Sequence, residues 1–537
     1  MTGIETTFSA NILSFLVAMP IIGAVIVLLV PGGNKWIPRI TALTISLIIG
    51  VVAASVFFSY DQTVGGYQFV VQQQYFTVIG SSWHLGIDGI SAAMVLLTGI
   101  LTPLAILVSW EVNDRVNAHL ALLLFFEAGA MGVFVSLDLL VFFIFYEISL
   151  VPMYFLINQW GGPNRHYAST KFFLYSMGGT LGMLLAIQLI GISAGSFDIP
   201  TLTNVATGWP AYTGQAGTLL GLPVETVKLL AFVGFFVAFC IKVPVWPFHT
   251  WLPDAHSEAP TAGSMLLAGI MLKLGAYGFL RLTIPLFPDI WGAQINLFGI
   301  LETNFATIFA VLAMLGIVLG ALAAYGQTDI KRLVAYSSVN HMGFVVLGLA
   351  VTALAYSQQV LGGGNDPAAQ QNAILATNGA VMQMFSHGLI SAGAFLLAGA
   401  IYHKTHTRDM RQYGGLWVKA PIYGGIFIFI AMASVGLPGM SGFVGEFLVV
   451  RGVWPVFTVI TVISMLGLIL TGSYTLKMVR ATLHGPFNLN WRGTPLEIDW
   501  RDGLAIAPLI VLILITGVAP NWILSVINST VTQILGG

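Results

Sequence analysis

The sequence runs to 537 residues, 57% hydrophobic and 8% charged, with a formal net charge of −1. Soluble domains carry about 25% charged residues, so this composition excludes a soluble enzyme, a disordered chain and a coiled coil. A near-neutral balance suggests neither nucleic acid nor an anionic membrane surface as partner. The single cysteine, Cys240, excludes a disulfide framework, iron–sulfur ligation and c-type haem attachment in this chain.

Continuous apolar runs near 20 residues predict an all-α polytopic membrane protein, since a hydrocarbon core of ~30 Å requires that length. A porin-type barrel would show short alternating segments instead. In chain order the predicted spans are 11–30, 37–59, 90–109, 119–136, 138–158, 170–193, 227–249, 262–284, 305–324, 333–353, 374–402, 421–450, 454–476 and 503–524, fourteen in all. Met1–Ala10 lacks a basic n-region and contains Glu5, which argues against a cleaved signal. Gly/Pro/polar connectors at 31–38, 161–165, 195–221 and 362–371 separate spans, and none is long enough for a soluble domain. With the N-terminus outside, inside loops hold fifteen of the twenty Lys and Arg, and Lys228, Arg281 and Arg451 fall outside. That asymmetry supports both the count and the orientation.

Lys242 and Lys273 fall within apolar runs, as does Glu147. A charge at mid-bilayer costs at least ~2.5 kcal/mol, so such groups point to function. Glu147 lies eight residues into its run, about 12 Å deep. Lys242 is followed by Val243-Pro244-Val245-Trp246-Pro247, where two prolines break the helix. A broken helix at membrane depth belongs in protein or against a watery cavity. The twelfth span, 30 residues or about 45 Å as a straight helix, contains Gly436-Leu437-Pro438-Gly439, with Glu446 just beyond.

Interruptions at spans 7 and 12 point to an internally repeated transporter. The five-span offset predicts two inverted five-helix repeats. The chain then divides into residues 1–118 (helices 1–3), 119–284 (first repeat), 285–476 (second repeat) and 477–537 (loop and helix 14). His341 and His387, titratable near neutrality, could link the halves. Their alternative reading is structural, as buried hydrogen-bonded histidines. His249 and His256 are seven apart in a proline-rich loop, poor spacing for metal ligands, and read as structural. No nucleotide fingerprint appears, and the glycines read as helix-packing contacts.

Burial disfavours an ammonium and a nearby carboxylate favours it, so moving one relative to the other loads or releases a proton. A relay follows, with Glu147 as modulator, Lys242 as carrier, Lys273 passing charge laterally and Glu446 terminal. The chain supplies no energy source for it, so a gradient or a partner must.

Phe145-Tyr146-Glu147-Ile148-Ser149-Leu150-Val151-Pro152-Met153-Tyr154 resembles the fifth-span motif of the antiporter-like subunits of respiratory complex I. Ile241-Lys242-Val243-Pro244-Val245-Trp246-Pro247-Phe248-His249-Thr250-Trp251-Leu252-Pro253-Asp254-Ala255-His256 resembles another motif of that family, and Ala335–Gly343 and Gly442–Phe447 resemble later ones. The likeness runs from about span 3 to span 13. It implies fourteen spans in two inverted repeats, and protons carried by Glu147, Lys242, Lys273 and Glu446 with His341 and His387 between. It further implies a non-redox subunit of a proton-pumping translocase, driven by quinone reduction in neighbouring subunits. This chain would then hold no cofactor, with FMN, iron–sulfur clusters and quinone in partner subunits. Its partners would be other membrane-arm subunits, including L-type and N-type paralogues, and lipid. Those two types carry lysine at the twelfth-span position, where Glu446 stands here. The stretch 362–367 looks like an insertion relative to many relatives. The multi-pass topology fits a bacterial plasma membrane, with thylakoid or mitochondrial inner membrane as alternatives. The competing readings are a subunit of a multisubunit Na⁺/H⁺ antiporter and a structural scaffold that merely retains old charges.

Overall fold

The structure, a computed structural model, describes the backbone of all residues except 1, 32–33, 77–78, 215–216, 220, 298–300, 363–365 and 537, and no side chains of 2–10, 297 or 301. Parts of the predicted connectors, including 363–365 of the 362–371 stretch, thus lie outside the described residues.

Among the described residues, thirteen helices are long and apolar enough to cross a membrane. They are span 1 (Asn11–Leu29), 2 (Trp36–Ser59), 3 (Gly89–Glu111), 4 (Val116–Val135), 5 (Leu139–Trp160), 6 (Arg165–Ala194), 7 (Val224–Lys242), 8 (Thr261–Leu286), 9 (Phe305–Gly326), 10 (Ile330–Val360), 11 (Pro367–Thr405), 13 (Thr458–Leu483) and 14 (Trp500–Val518). Span 12 is split into Pro421–Val435 and Ser441–Val453. Span 7 resumes as Trp251–Glu258 after its break. Both predicted interruptions are therefore present, in an all-helical membrane bundle.

Burial sorts the spans. Span 8 is wholly enclosed and spans 3, 4, 10 and 11 nearly so, while spans 2, 6, 13 and 14 keep most of their surface outward. Outward Leu47, Val51, Leu185, Val459 and Ile469 suit lipid or apolar neighbours. Small residues let helices approach closely: a Cβ on Gly50 would lie 2.5 Å from the Gly99 carbonyl oxygen.

The repeat is visible as two matching clasps. Leu139 N donates to Phe197 O (2.9 Å) and Ile199 N to Leu137 O (2.8 Å). The same pair recurs as Ile330 N to Arg408 O (2.9 Å) and Met410 N to Thr328 O (2.8 Å). An aspartate N-caps each of the four segments: Asp138 and Asp198 in the first clasp, Asp329 and Asp409 in the second. Asp caps because its carboxylate accepts from backbone N–H groups that have no partner in the first turn. Five spans separate one clasp from its counterpart, so the two lie on opposite faces and the units are inverted.

Extramembrane structure went unread in the sequence. Gln68–Phe76 and Ser81–Ile87 form an antiparallel hairpin before span 3, which defines the hairpin face. Its Ser81 hydroxyl and Ser82 N donate to Asp138 (3.0 Å each). The last predicted span ends at Val518, and a separate helix follows, Asn521–Gly536. That helix straps the hairpin face: Thr530 Oγ1 accepts from Gly89 N (2.8 Å) and Asn528 Oδ1 from Asn378 Nδ2 (2.6 Å). Span 13 runs to Leu483, so its last turns fall beyond the expected 476/477 division.

Candidate functional site

Span 7 ends at Lys242, placing the ammonium at a helix C-terminus, where the dipole favours a cation. The last helical bond is the one that Val243 N makes, and beyond it the break leaves the Cys240 and Ile241 carbonyls, which the chain reuses. Val243 N bonds Phe239 O (2.9 Å), Val245 N bonds Cys240 O (2.8 Å) and Trp251 Nε1 bonds Ile241 O (2.8 Å). Lys242 Nζ is buried without a hydrogen-bond partner and stands 4.6 Å from the centroid of the Tyr146 ring, a cation–π contact. Glu147 is the next residue along span 5 after Tyr146. Its buried Oε1 has no hydrogen-bond partner, so modulator and carrier are neighbours without a salt bridge between them.

Span 8 contains two π-helical segments, Leu267–Met271 and Phe279–Thr283. Such segments disturb the regular ladder and mark functional positions. Lys273 follows the first: its Nζ donates to Ala268 O (2.5 Å) and lies 2.9 Å from His387 Nδ1. Gly275 brings spans 7 and 8 together, since a Cβ there would lie 2.9 Å from Lys242 Cβ and 3.0 Å from Val243 N.

From His387 the row continues. The His341 and His387 ring centroids are 5.8 Å apart. His341 Nδ1 lies 2.6 Å from Glu446 Oε1, which also accepts from Gln383 Nε2 (3.0 Å). His341 Nε2 meets Ser434 Oγ (3.1 Å) and Tyr474 OH (3.3 Å). Ser434 comes from the first half of span 12 and Glu446 from the second. Gly436 (φ +80°) turns the chain between them, and a Cβ on it would lie 3.4 Å from Glu446 Oε2. Lys273, His387, His341 and Glu446 thus form one contiguous polar row through the apolar core, and Lys242 with Glu147 forms a second group joined to it by the Gly275 contact.

Other charged groups were misplaced or overlooked in the sequence. Lys331, assigned to an inside loop, is buried and donates to Ala259 O (3.0 Å). Beside Ala259, Glu258 pairs with Arg408 (3.0 Å), which also reaches Asp329 (3.1 Å). Arg281, assigned outside, is buried in the second π segment and ion-paired to Asp88, the N-cap of span 3. Glu127 in span 4 is fully buried. His256 belongs to the short helix after the break, its ring stacked on Phe395 at 4.6 Å. No grouping of three or more His, Cys, Asp or Glu that could hold a metal occurs among the described residues. An inspection of ionisable residues inside apolar runs would have found Glu127; nothing local distinguishes Arg281 from a flanking arginine.

Residues 136–362 and 368–471 match the family described as NADH:quinone oxidoreductase/Mrp antiporter, transmembrane. The chain belongs to that family. It is similar to the NADH-quinone oxidoreductase subunit M of Rhodobacter capsulatus, 38% identical over 98% of this chain and 96% of the relative. It is also similar to those of Pseudomonas aeruginosa, 40% identical over 96% of each, and Escherichia coli, 39% identical over 93% and 92%. Among solved structures it resembles a chain of respiratory complex I from Thermus thermophilus with bound NADH. There the TM-score is 0.80 at 27% identity, covering 98% of this chain and 100% of that one. A chain of the Mrp complex from Dietzia sp. DQ12-45-1b shares the fold, with a TM-score of 0.78 at 19% identity and 98% coverage of each. In this chain the seventh and twelfth spans carry the breaks, and each break delivers one ionisable side chain, Lys242 or Glu446, into the core.

Proposed function

We propose that Glu147, Lys242, Lys273, His387, His341 and Glu446 carry the protons that this chain moves as an M-type, membrane-arm subunit of a proton-pumping NADH–quinone oxidoreductase. The observation that carries the reading is the contiguous Lys273–His387–His341–Glu446 row. Each step in it is between groups that both bind a proton, and all four side chains are buried, which strengthens electrostatic coupling between them. Lys242 then acts as the switch. With no hydrogen-bond partner, its charge is stabilised by Glu147, the Tyr146 face and the helix C-terminus, and a small displacement of span 5 alters that balance.

The chain is a multi-pass membrane protein that assembles with other complex I subunits. In the finer reading, L-type and N-type paralogues flank it, and partner subunits hold the FMN, iron–sulfur clusters and quinone whose reduction drives the switch. The hairpin face is then outside a bacterial plasma membrane, and residues 119–284 and 285–476 act as the two transport units. The test is copurification of the tagged chain in mild detergent, followed by proton pumping of Glu147→Ala and Lys242→Ala complexes. Flavin- and iron–sulfur-bearing subunits should copurify, and both variants should assemble yet lose pumping. A Lys242→Ala complex that pumps normally refutes the relay, and an eluate of small antiporter chains alone favours the Na⁺/H⁺ reading.

A further inference from the structure

Glu127 is fully buried in span 4, and neither carboxyl oxygen has a hydrogen-bond partner. The Thr102 hydroxyl of span 3 lies beside it but donates to Thr98 O (3.0 Å). The register of span 4 against its neighbours gives the depth of Glu127. On one side Gly129 abuts span 5, where a Cβ would lie 2.6 Å from Ser149 N, and Gly132 abuts Phe145. On the other, Phe134 O accepts from Tyr277 OH of span 8 (3.0 Å), and the two rings are 5.2 Å apart. Spans 4 and 8 run in the same direction, so the position seven residues before Phe134 falls opposite Ile270, about 4.5 Å in rise from Lys273. Seven residues are nearly two turns, so Glu127 shares the span 8-facing side with Phe134. Thr102 agrees with this depth: its neighbour Leu101 touches span 8 at Gly269, within the first π segment.

We propose that Glu127 is a further proton-holding residue of the same translocation path, exchanging a proton with Lys273. The inference rests on the relay reading above. In the step, the Glu127 acid gives its proton to the neutral Lys273 amine, leaving carboxylate and ammonium, and the reverse step restores the acid. Ionised and alone in a low-dielectric interior, the carboxylate is costly, whereas the neutral acid is far less so. Charging Lys273 supplies a compensating cation at nearly the same depth, so in this proposal each group's proton occupancy depends on the other's. That makes Glu127 for Lys273 what Glu147 is for Lys242. The irregular ladder at Leu267–Met271 lets this stretch of span 8 shift against span 4.

The test uses the whole complex in sealed vesicles with Glu127→Gln, which keeps the shape and cannot release a proton, and Glu127→Asp. Expected for Glu127→Gln are normal assembly and NADH oxidation by a water-soluble acceptor, with a fall in pumping of about tenfold or more. The redox-induced infrared difference spectrum should also lose one protonated-carboxyl band, which Glu127→Asp shifts and partly retains along with pumping. Pumping at the parent stoichiometry overturns the proposal. So does a loss of pumping with the carboxyl band unchanged, since that reports packing only. Should Glu127→Gln fail to assemble, Glu127→Asp decides: an unshifted band overturns the proposal. Glu147→Gln in parallel separates the readings. If it pumps normally the relay itself is wrong; if it alone fails to pump, only the role of Glu127 falls.

Discussion

Glu446 Oε1 lies 2.6 Å from His341 Nδ1, across 105 residues of sequence and two different spans. The pair is buried and flanked by Gln383, Ser434 and Tyr474. A proton passing between carboxylate and imidazole moves charge along the row without requiring a new partner at either end. The split in span 12 is what allows it: Ser434 and Glu446 approach the same imidazole from the two halves.

Glu446→Gln keeps a side chain of the same shape but removes the proton-accepting group. Proton pumping in vesicles should fall by about 100-fold or more, in the range of lost acid–base groups, with assembly unchanged. His341→Ala leaves Glu446 facing Gln383 only and should also destabilise, by about 3–5 kcal/mol, seen as a lower melting temperature of the purified complex. Equal pumping by Glu446→Gln and the parent would remove Glu446 from the path.

Gly275 holds spans 7 and 8 together at Lys242. A Gly275→Val side chain would meet Lys242 Cβ and the Val243 backbone, and backbone cannot give way cheaply. Overpacking of this kind costs about 1–3 kcal/mol. The expected signature is an assembled complex with reduced quinone reductase rate and pumping, because Lys242 is displaced from Tyr146. Parent-like pumping in Gly275→Val would show that the contact does not position Lys242.

The Asp88–Arg281 ion pair anchors the hairpin-face end of span 8 to span 3. Arg281→Leu strands a buried carboxylate and should cost about 3–5 kcal/mol. Asp88 Oδ1 caps span 3 through Ile90 N (3.1 Å) and Ser91 N (3.0 Å), a role Asn can take over. The double variant Asp88→Asn/Arg281→Leu should therefore lose less than Arg281→Leu alone. Melting temperatures of the three complexes decide it; a double variant worse than the single contradicts the pairing.

Asp198 joins a clasp that sits outside the spans. Burial pushes its carboxyl up, but hydrogen bonds from His84 (2.5 Å) and Thr201 outweigh this and hold it below the usual carboxylate value. A depressed folded-state value means the contribution is fully present above the unfolded value of ~3.9 and is lost only as pH falls through the lower, folded one. Exchange protection of the Leu139 and Ile199 amides should thus persist at ~pH 5 and be weakened at all pH values in Asp198→Ala. Protection lost in the parent between neutrality and that pH would contradict the assignment.

The spans, their breaks and the six residues proposed for the relay could be singled out in the sequence. Apolar run length against a ~30 Å core is a one-dimensional signal, a charge inside such a run is costly enough to stand out, and Pro244, Pro247 and Pro438 announce their own effect on a helix. Three things were decided only by tertiary structure. The long-range side-chain pairings came first: Lys273 meets His387 across 114 residues and Arg281 meets Asp88 across 193, and no local pattern encodes such pairings. The second was the burial of Lys331 and Arg281, which at the end of an apolar run look the same as basic residues facing water. The third was the hairpin-face architecture. The Asn521–Gly536 helix is short and interleaves Ser, Asn and Thr with apolar residues, so it has no run long enough to announce a span. It is stabilised by contacts with spans 3 and 11 that exist only once the bundle has assembled.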